Sequence, residues 1–280
     1  MINTGIYASR HRSGTPSIHP QYQKVLDKAT LEGFAFPTAI EQVIGNQLMI
    51  DLYALGVLGN VDPTIGFTTL QVYSRSNADF GRIDWVDTDN VYIAENSPTY
   101  NSVTGFQFDT TNYLRSNNFK MTMDLAVLKV YGGGWNASGY QYDGVNRYLM
   151  GIQDNTVSPL MIQVIRENNS LTTLTTLGNI QQTVALNYLQ DNVNYSVTSI
   201  TLNSASTIFA NGVAGESSSN NPIVTPLAVP REWAFGGVNR QGFTGSVNGS
   251  LCSLKYGYLG TNLAGFEAGV SAAFQTFLSA

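Results

Sequence analysis

Asp84, Asp87 and Asp89, in the stretch DWVDTDN, form the densest group of carboxylates in this sequence. Carboxylates so spaced can hold a hard cation, and two carboxylates facing each other at a fixed separation can cleave a glycosidic bond. The residues around them argue against both chemistries. The glycine and distal glutamate of a calcium loop are missing, and no Glu-x-Asp-x-Glu run supplies paired acids along one strand. We read the group as a solvated turn, because Asp and Asn are turn formers. No metal site and no cofactor are expected.

Nucleophilic catalysis has less to draw on. The two histidines, His11 and His19, fall in the first twenty residues and lie far along the chain from the single cysteine, Cys252. A Ser–His or Cys–His arrangement needs a base oriented beside its nucleophile, and no such grouping is legible here. Cys252, between Leu251 and Leu254, reads as a small core residue. No catalytic residue is assigned, and the chain is expected not to be an enzyme. A glycoside hydrolase ranks last among the readings because its acid pair is missing.

Sugar recognition has a better candidate. The stretch VYGGGWNASGYQYDGVNRY gathers Trp135, Asn136, Tyr140, Tyr142, Asp143 and Asn146 in one glycine-rich loop. Exposed aromatic rings stack on a pyranose face, and amides or carboxylates at the rim bond its hydroxyls. The competing reading is a long loop whose aromatics pack onto the sheet or a neighbouring subunit.

Composition narrows the partners. The 280 residues carry a formal net charge of −5, only 12% are charged and 43% are hydrophobic. A nucleic-acid binder needs a dense basic face, so none is expected. The aromatic content excludes a disordered chain. The N-terminus has no apolar run of a secretory signal, and no stretch approaches a membrane span, so we expect synthesis in a cytoplasm and no membrane insertion. One cysteine excludes an intrachain disulfide. The N-x-S/T matches at Asn136, Asn168, Asn194 and Asn248 carry no weight without a secretory signal.

Three zones must position these residues. Residues 1–20 lack periodicity and carry Arg10, His11, Arg12 and His19 before the first acid at Asp27. They form either a frayed terminus or an extended docking arm, anchored by Ile2, Ile6 and Tyr7 and steered by Arg10 and Arg12. Residues 21–104 form a helical and connector region. Tyr22, Val25, Leu26 and Ala29 recur at helical spacing, with Pro20 suited to the start and Gly33 to the stop. Thr38 stands three residues before Glu41, the capping-box spacing. Ile40, Val43, Ile44, Leu48, Leu52 and Leu55 then form a stripe, flanked by Ile50, Tyr53, Ala54 and Val57. So wide an apolar face predicts burial within the fold or against another subunit.

Residues 105–280 read as strands. FKMTMDLAV alternates Phe119, Met121, Met123, Leu125 and Val127 with polar residues, and PLMIQVIRE, TVALNYL and NYSVTSITL follow as short runs. Asn211-Gly212 between two apolar stretches predicts a hairpin. LTTLTTLGN repeats leucine at every third position and reads as an irregular strand edge. Leu263, Phe266, Val270, Phe274 and Phe277 make a last helix against the outside of the sheets. Near the C-terminus the glycines of EWAFGGVNRQGFTG bracket a tight reversal. Their spacing matches neither a phosphate loop nor a dinucleotide fingerprint. The apolar set at Val247 and Leu251 shifts phase to Leu254, Tyr256 and Tyr258, which predicts a bulge or a strand covered on both faces.

NYSVTSITLNSASTIFANGVAG resembles the paired strands of laminin-G and pentraxin-like jelly rolls, and the stretch from Arg231 to Leu278 is similar to the end of the same family. The resemblance implies a mainly β fold, a concanavalin A-like (laminin-G-like) antiparallel β-sandwich, preceded by a small helical N-terminal region. The preceding block resembles phage and prophage virion proteins through Ile83, Asp84 and Trp85, then Asn96, Ser97, Pro98 and Thr99, then Gly105 and Phe106. That likeness implies a non-enzymatic structural component of a bacteriophage virion, a head or tail appendage, fibre or decoration protein. It would dock to capsid, portal or tail proteins through the arm and through Ile40, Val43, Ile44, Leu48 and Leu52, forming a homo-oligomer located in the virion. The alternative is a lectin-like receptor-binding protein for host surface glycans.

Overall fold

Local chemistry sets the two ends of the first helix. The computed structural model describes residues 17–59, 65–109, 111–121, 129–136, 147–148, 150–154, 160–161, 165–167, 172–177, 180–185, 193–199, 206–218, 231–236, 239–240, 253–263 and 265–280. Helix α1 (Pro20–Glu32) starts on Pro20 and ends at Gly33, whose φ of 72° is the left-handed cap that glycine favours. His19 is not part of an unstructured arm. Its side chain caps α1 by accepting the Gln21 N–H, and its own N–H donates to Asn46 Oδ1 at 2.7 Å.

Helix α2 (Ala39–Ala54) has the predicted capping box, with Thr38 and Glu41 each bonding the other's backbone N–H. Glu41 also accepts from Ser74 Oγ at 3.2 Å and from the Ser76 N–H at 3.0 Å, which ties the start of α2 to the segment beyond the first strand. Burial alone would raise the Glu41 pKa, but the hydrogen bonds from Ser76 and Thr38 outweigh it and hold the carboxyl below its usual range.

The strands run in chain order as β1 (Gly66–Val72), β2 (Ile93–Glu95), β3 (Thr99–Asn101), β4 (Gly105–Gln107), β5 (Tyr113–Met121) and β6 (Lys129–Asn136). There follow β7 (Arg147–Tyr148), β8 (Met150–Asp154), β9 (Leu160–Met161), β10 (Ile165–Glu167), β11 (Thr172–Leu177) and β12 (Ile180–Ala185). The last are β13 (Val193–Ser199), β14 (Ser206–Ala210), β15 (Val213–Ser218), β16 (Arg231–Phe235), β17 (Asn239–Arg240) and β18 (Ser253–Thr261), before helix α3 (Glu267–Ser279). An eight-stranded sheet has the order β15-β14-β13-β6-β18-β4-β3, with β1 also on β18. A six-stranded sheet runs β17-β8-β16-β5-β2 with β9 on β8, and a four-stranded sheet runs β12-β11-β10-β7. Among the described residues every strand pairing is antiparallel except β17 with β8. The fold is mainly β, a concanavalin A-like antiparallel sandwich with a helical layer.

β18 explains how the layers stack. All nine of its residues are buried. Tyr256 and Tyr258 lie under the Phe274 ring of α3, while Gly257 lies against the Phe235 ring of the six-stranded sheet. Alternate side chains of a strand point to opposite faces, so β18 is covered by helices on one face and by the second sheet on the other. The register shift between Leu254 and Tyr256 against β6 is the bulge that the phase change predicts. Gly134 on β6 is required there, since any Cβ would overlap the Tyr256 ring.

Three expectations need correction. The region expected to be helical and connector also holds a core strand: β1 pairs with β18, and one cluster joins Tyr22, Leu48 and Leu52 to Leu70, Tyr258 and Phe274. The segment at 172–177 is no sheet edge but pairs with both β10 and β12, as its β-branched threonines favour. The strand predicted over Phe119–Val127 begins earlier, at Tyr113, and its part beyond Met121 lies outside the described residues.

Candidate functional site

Asp84 is the carboxylate most unlike its sequence expectation. It is fully buried, at 0% exposure. Its Oδ1 accepts the N–H groups of Leu70 at 3.0 Å, Val86 at 2.9 Å and Asp87 at 3.2 Å. Its Oδ2 accepts from Asn90 Nδ2 at 3.1 Å and from the Thr69 hydroxyl, with the Tyr92 hydroxyl beside both. Burial pushes its pKa up to about 6 although these donors pull the other way. Burial and the Asp84 charge likewise raise the Tyr92 phenol well above its ordinary value. Asp84 is therefore no solvated turn residue. It joins β1 to the 84–92 loop, and among the described residues no three His, Cys, Asp or Glu side chains converge to hold a metal ion.

The expected docking stripe divides. Leu48 and Leu52 are buried in the chain's own core and Ile44 packs against it, so these three cannot form an outer surface. Ile40 is 72% exposed and Val43 53% exposed, in the first two turns of α2. At about 100° per residue Val43 stands opposite Leu52, whereas Ile40 lies within a quarter turn of Leu48 and is exposed in the first turn of the helix. Ile2, Ile6, Tyr7, Arg10 and Arg12 lie outside the described residues. So do Tyr140, Tyr142, Asp143 and Asn146 of the expected sugar loop. Trp135 and Asn136 end β6, where they pair in register with Leu254 and Ser253 of β18.

Two concave sites lie elsewhere. A crevice of about 290 Å³ is lined by Tyr73, Arg75, Ser102, Val103, Lys255 and the last residues of α3. Arg75 Nη2 donates to the Phe277 and Leu278 carbonyls at 3.4 Å each, and its Nε to the Tyr73 hydroxyl at 3.3 Å. A cation on the free carbonyls of a helix C-terminus offsets the helix dipole, so Arg75 anchors α3 to the end of β1.

The second site is a groove of about 460 Å³ between α1, the end of α2 and the 84–92 loop. Pro20, Leu58, Gly59 and Val86 give it apolar walls. The His19 and Tyr53 rings meet at 5.0 Å with their planes tilted by 56°. Tyr53 is 54% exposed and its ring lies over Gly59, where a Cβ would meet it at 3.0 Å. Gln21 is held by its amide, which donates to the Trp85 and Val86 carbonyls at 2.9 Å each. Lys24 completes the rim. Sequence reasoning misses this groove because Tyr53 reads as one more apolar residue beside a helical stripe. Only folding brings it against His19.

No family model matches this chain and no curated protein matches it. Among solved structures it is similar to a Trypanosoma rangeli sialidase in complex with 2,3-difluoro-KDN, with a TM-score of 0.50 at 11% identity. That similarity covers 86% of this chain and 39% of the sialidase chain. It is also similar to a botulinum neurotoxin serotype D binding domain, with a TM-score of 0.47 at 8% identity, covering 69% of this chain and 48% of that one. The chain thus spans about two fifths of the sialidase and about half of the neurotoxin domain. At such identities the sialidase likeness is one of fold alone, and it agrees with a mainly β, antiparallel architecture.

Proposed function

We propose that this chain is a non-enzymatic display module of a bacteriophage particle: a lectin-like sandwich on a helical base that docks to other virion proteins. The phage assignment rests on the sequence resemblance at residues 83–106. The docking role rests on one structural observation, that the apolar residues of α2 divide into the buried Leu48 and Leu52 and the exposed Ile40 and Val43. Leu48 and Leu52 lock α2 to the sandwich, so whatever holds Ile40 and Val43 also holds the sheets. An appendage needs that rigid connection between its base and its displayed surface.

Mass spectrometry of particles purified from the source culture tests the assignment. Recovery of the chain at the copy number of a structural component supports it, and absence from the particles sinks it. Deleting residues 1–16 separates the two docking elements. If the arm is the anchor, incorporation falls; if the α2 face suffices, incorporation holds.

A second reading, recognition of a host surface glycan, is favoured by the groove at His19 and Tyr53, where the partly exposed Tyr53 ring sits among polar side chains. Display and glycan recognition are compatible on one appendage. A glycan array probed with the full chain decides whether the second function exists.

A further inference from the structure

We infer that the groove between His19, Gln21, Lys24 and Tyr53 is a carbohydrate-binding site that takes a neutral sugar ring. The inference rests on the glycan reading above and assigns it to a place other than the loop around Trp135.

The groups on the groove wall define the ligand. His19 Nδ1 accepts the Gln21 N–H at 3.2 Å, so the neutral ring carries its proton on Nε2 and offers that N–H as a donor. Burial lowers the His19 pKa, which keeps the ring neutral near pH 7. The Gln21 amide nitrogen is committed to two carbonyls, which orients its Oε1 as an acceptor. The Tyr53 hydroxyl both donates and accepts, and Lys24 adds an ammonium with no ion-pair partner among the described residues. Donors and acceptors thus lie beside the partly exposed Tyr53 ring.

A sugar matches these groups because each of its hydroxyls donates and accepts, while its C–H face packs on an aromatic ring. A strongly anionic ligand fits less well, since among the described residues Lys24 is the only charged one lining the groove. The volume of about 460 Å³ falls within the range of roughly 300 to 1,000 Å³ common for small-molecule sites. Tyr53 is also held in place, between His19 and Gly59, so little side-chain freedom is lost on binding.

The test uses the full chain, a glycan array to find a binding sugar, and saturation-transfer NMR with that sugar. Tyr53→Ala is expected to weaken binding at least tenfold, and Tyr53→Phe by less. Because Tyr53 is exposed, thermal unfolding of both variants should match the parent. A sugar bound equally well by Tyr53→Ala overturns the site while leaving glycan recognition standing, and loss of binding only in Trp135→Ala moves the site to the loop. An array with no bound glycan overturns glycan recognition itself and this site with it.

Discussion

The Phe274 ring of α3 lies parallel to the Tyr256 ring of β18, with 2° between their planes and 3.8 Å between their centroids. Tyr258 continues the stack at 5.6 Å, so one residue of the last helix covers two of the central strand. Phe274 is fully buried, and its removal leaves a cavity between the helical layer and the eight-stranded sheet. Phe274→Ala is expected to cost about 3–5 kcal/mol. Urea unfolding followed by far-UV circular dichroism measures it, and a loss below about 1 kcal/mol would mean that α3 is not part of the shared core.

Asp84 makes stability depend on pH in an unusual direction for a carboxylate. Its pKa is raised from an ordinary 3.8 to about 6 in the folded chain. The folded state therefore holds its proton more tightly than the unfolded one. The resulting contribution is fully present below about pH 3.8 and is lost as pH rises through about 6, a change on the order of 3 kcal/mol. Glu41 and Asp109 work the other way, since hydrogen bonds hold their pKa values down against burial. The clean readout is thus the difference between parent and Asp84→Asn across pH 4 to 6.5. Asp84→Asn keeps an oxygen for the three backbone N–H groups and should fold, with that pH-dependent difference following the sign above. Asp84→Ala strands those donors and is expected to cost about 3 kcal/mol or more.

Elements that depend on close neighbours along the chain are legible in the amino-acid sequence. Pro20, Gly33 and the Thr38–Glu41 pair announce helix ends, and the phase change at Leu254 announces the bulge, because each acts within a few residues. β1 is not legible in this way. GFTTLQV has no strict alternation and finds its partner in β18, nearly two hundred residues away, where both of its faces are covered. Asp84 misleads for the same reason. Nothing in DWVDTDN reveals that Thr69, Leu70 and Tyr92 close around it. The α2 stripe is visible in the spacing of its apolar residues, but its width hides the fact that Leu48 and Leu52 are buried while Ile40 and Val43 are exposed.

The Asn211-Gly212 turn joins the sheet to α3 in a way that one methyl group can disturb. Asn211 has φ of 50° and Gly212 φ of 75°, the left-handed pair of a tight hairpin. Gln275 Nε2 of α3 donates to Asn211 Oδ1 at 3.0 Å, and a Cβ on Gly212 would overlap the Ala268 backbone. Gly212→Ala therefore combines backbone strain with a collision against a helix and is expected to cost about 2–3 kcal/mol. Asn211→Gly keeps the conformation and loses the exposed hydrogen bond from Gln275, so its cost should stay under about 1 kcal/mol. Chemical denaturation midpoints that rank the two variants the other way would contradict this placement of the hairpin.

If the exposed apolar residues of α2 dock as proposed, folding and docking rest on different residues, and a charge placed on each set tells them apart. Leu48→Asp buries an unpaired carboxylate in the shared core and should prevent folding or cost about 3 kcal/mol or more. The double variant Ile40→Asp/Val43→Asp places its charges at exposed positions, where substitutions usually change stability by about 0.5 kcal/mol or less each. If that face holds a second copy of the chain or a virion neighbour, two charges on it prevent the contact without unfolding the protein. Sedimentation velocity of the parent and the double variant reads the first case, and incorporation into particles reads the second. Loss of association with an unchanged unfolding midpoint is the expected result. A double variant that associates and incorporates like the parent shows that the exposed face of α2 does not dock, because carboxylates cannot be desolvated in an apolar interface at no cost.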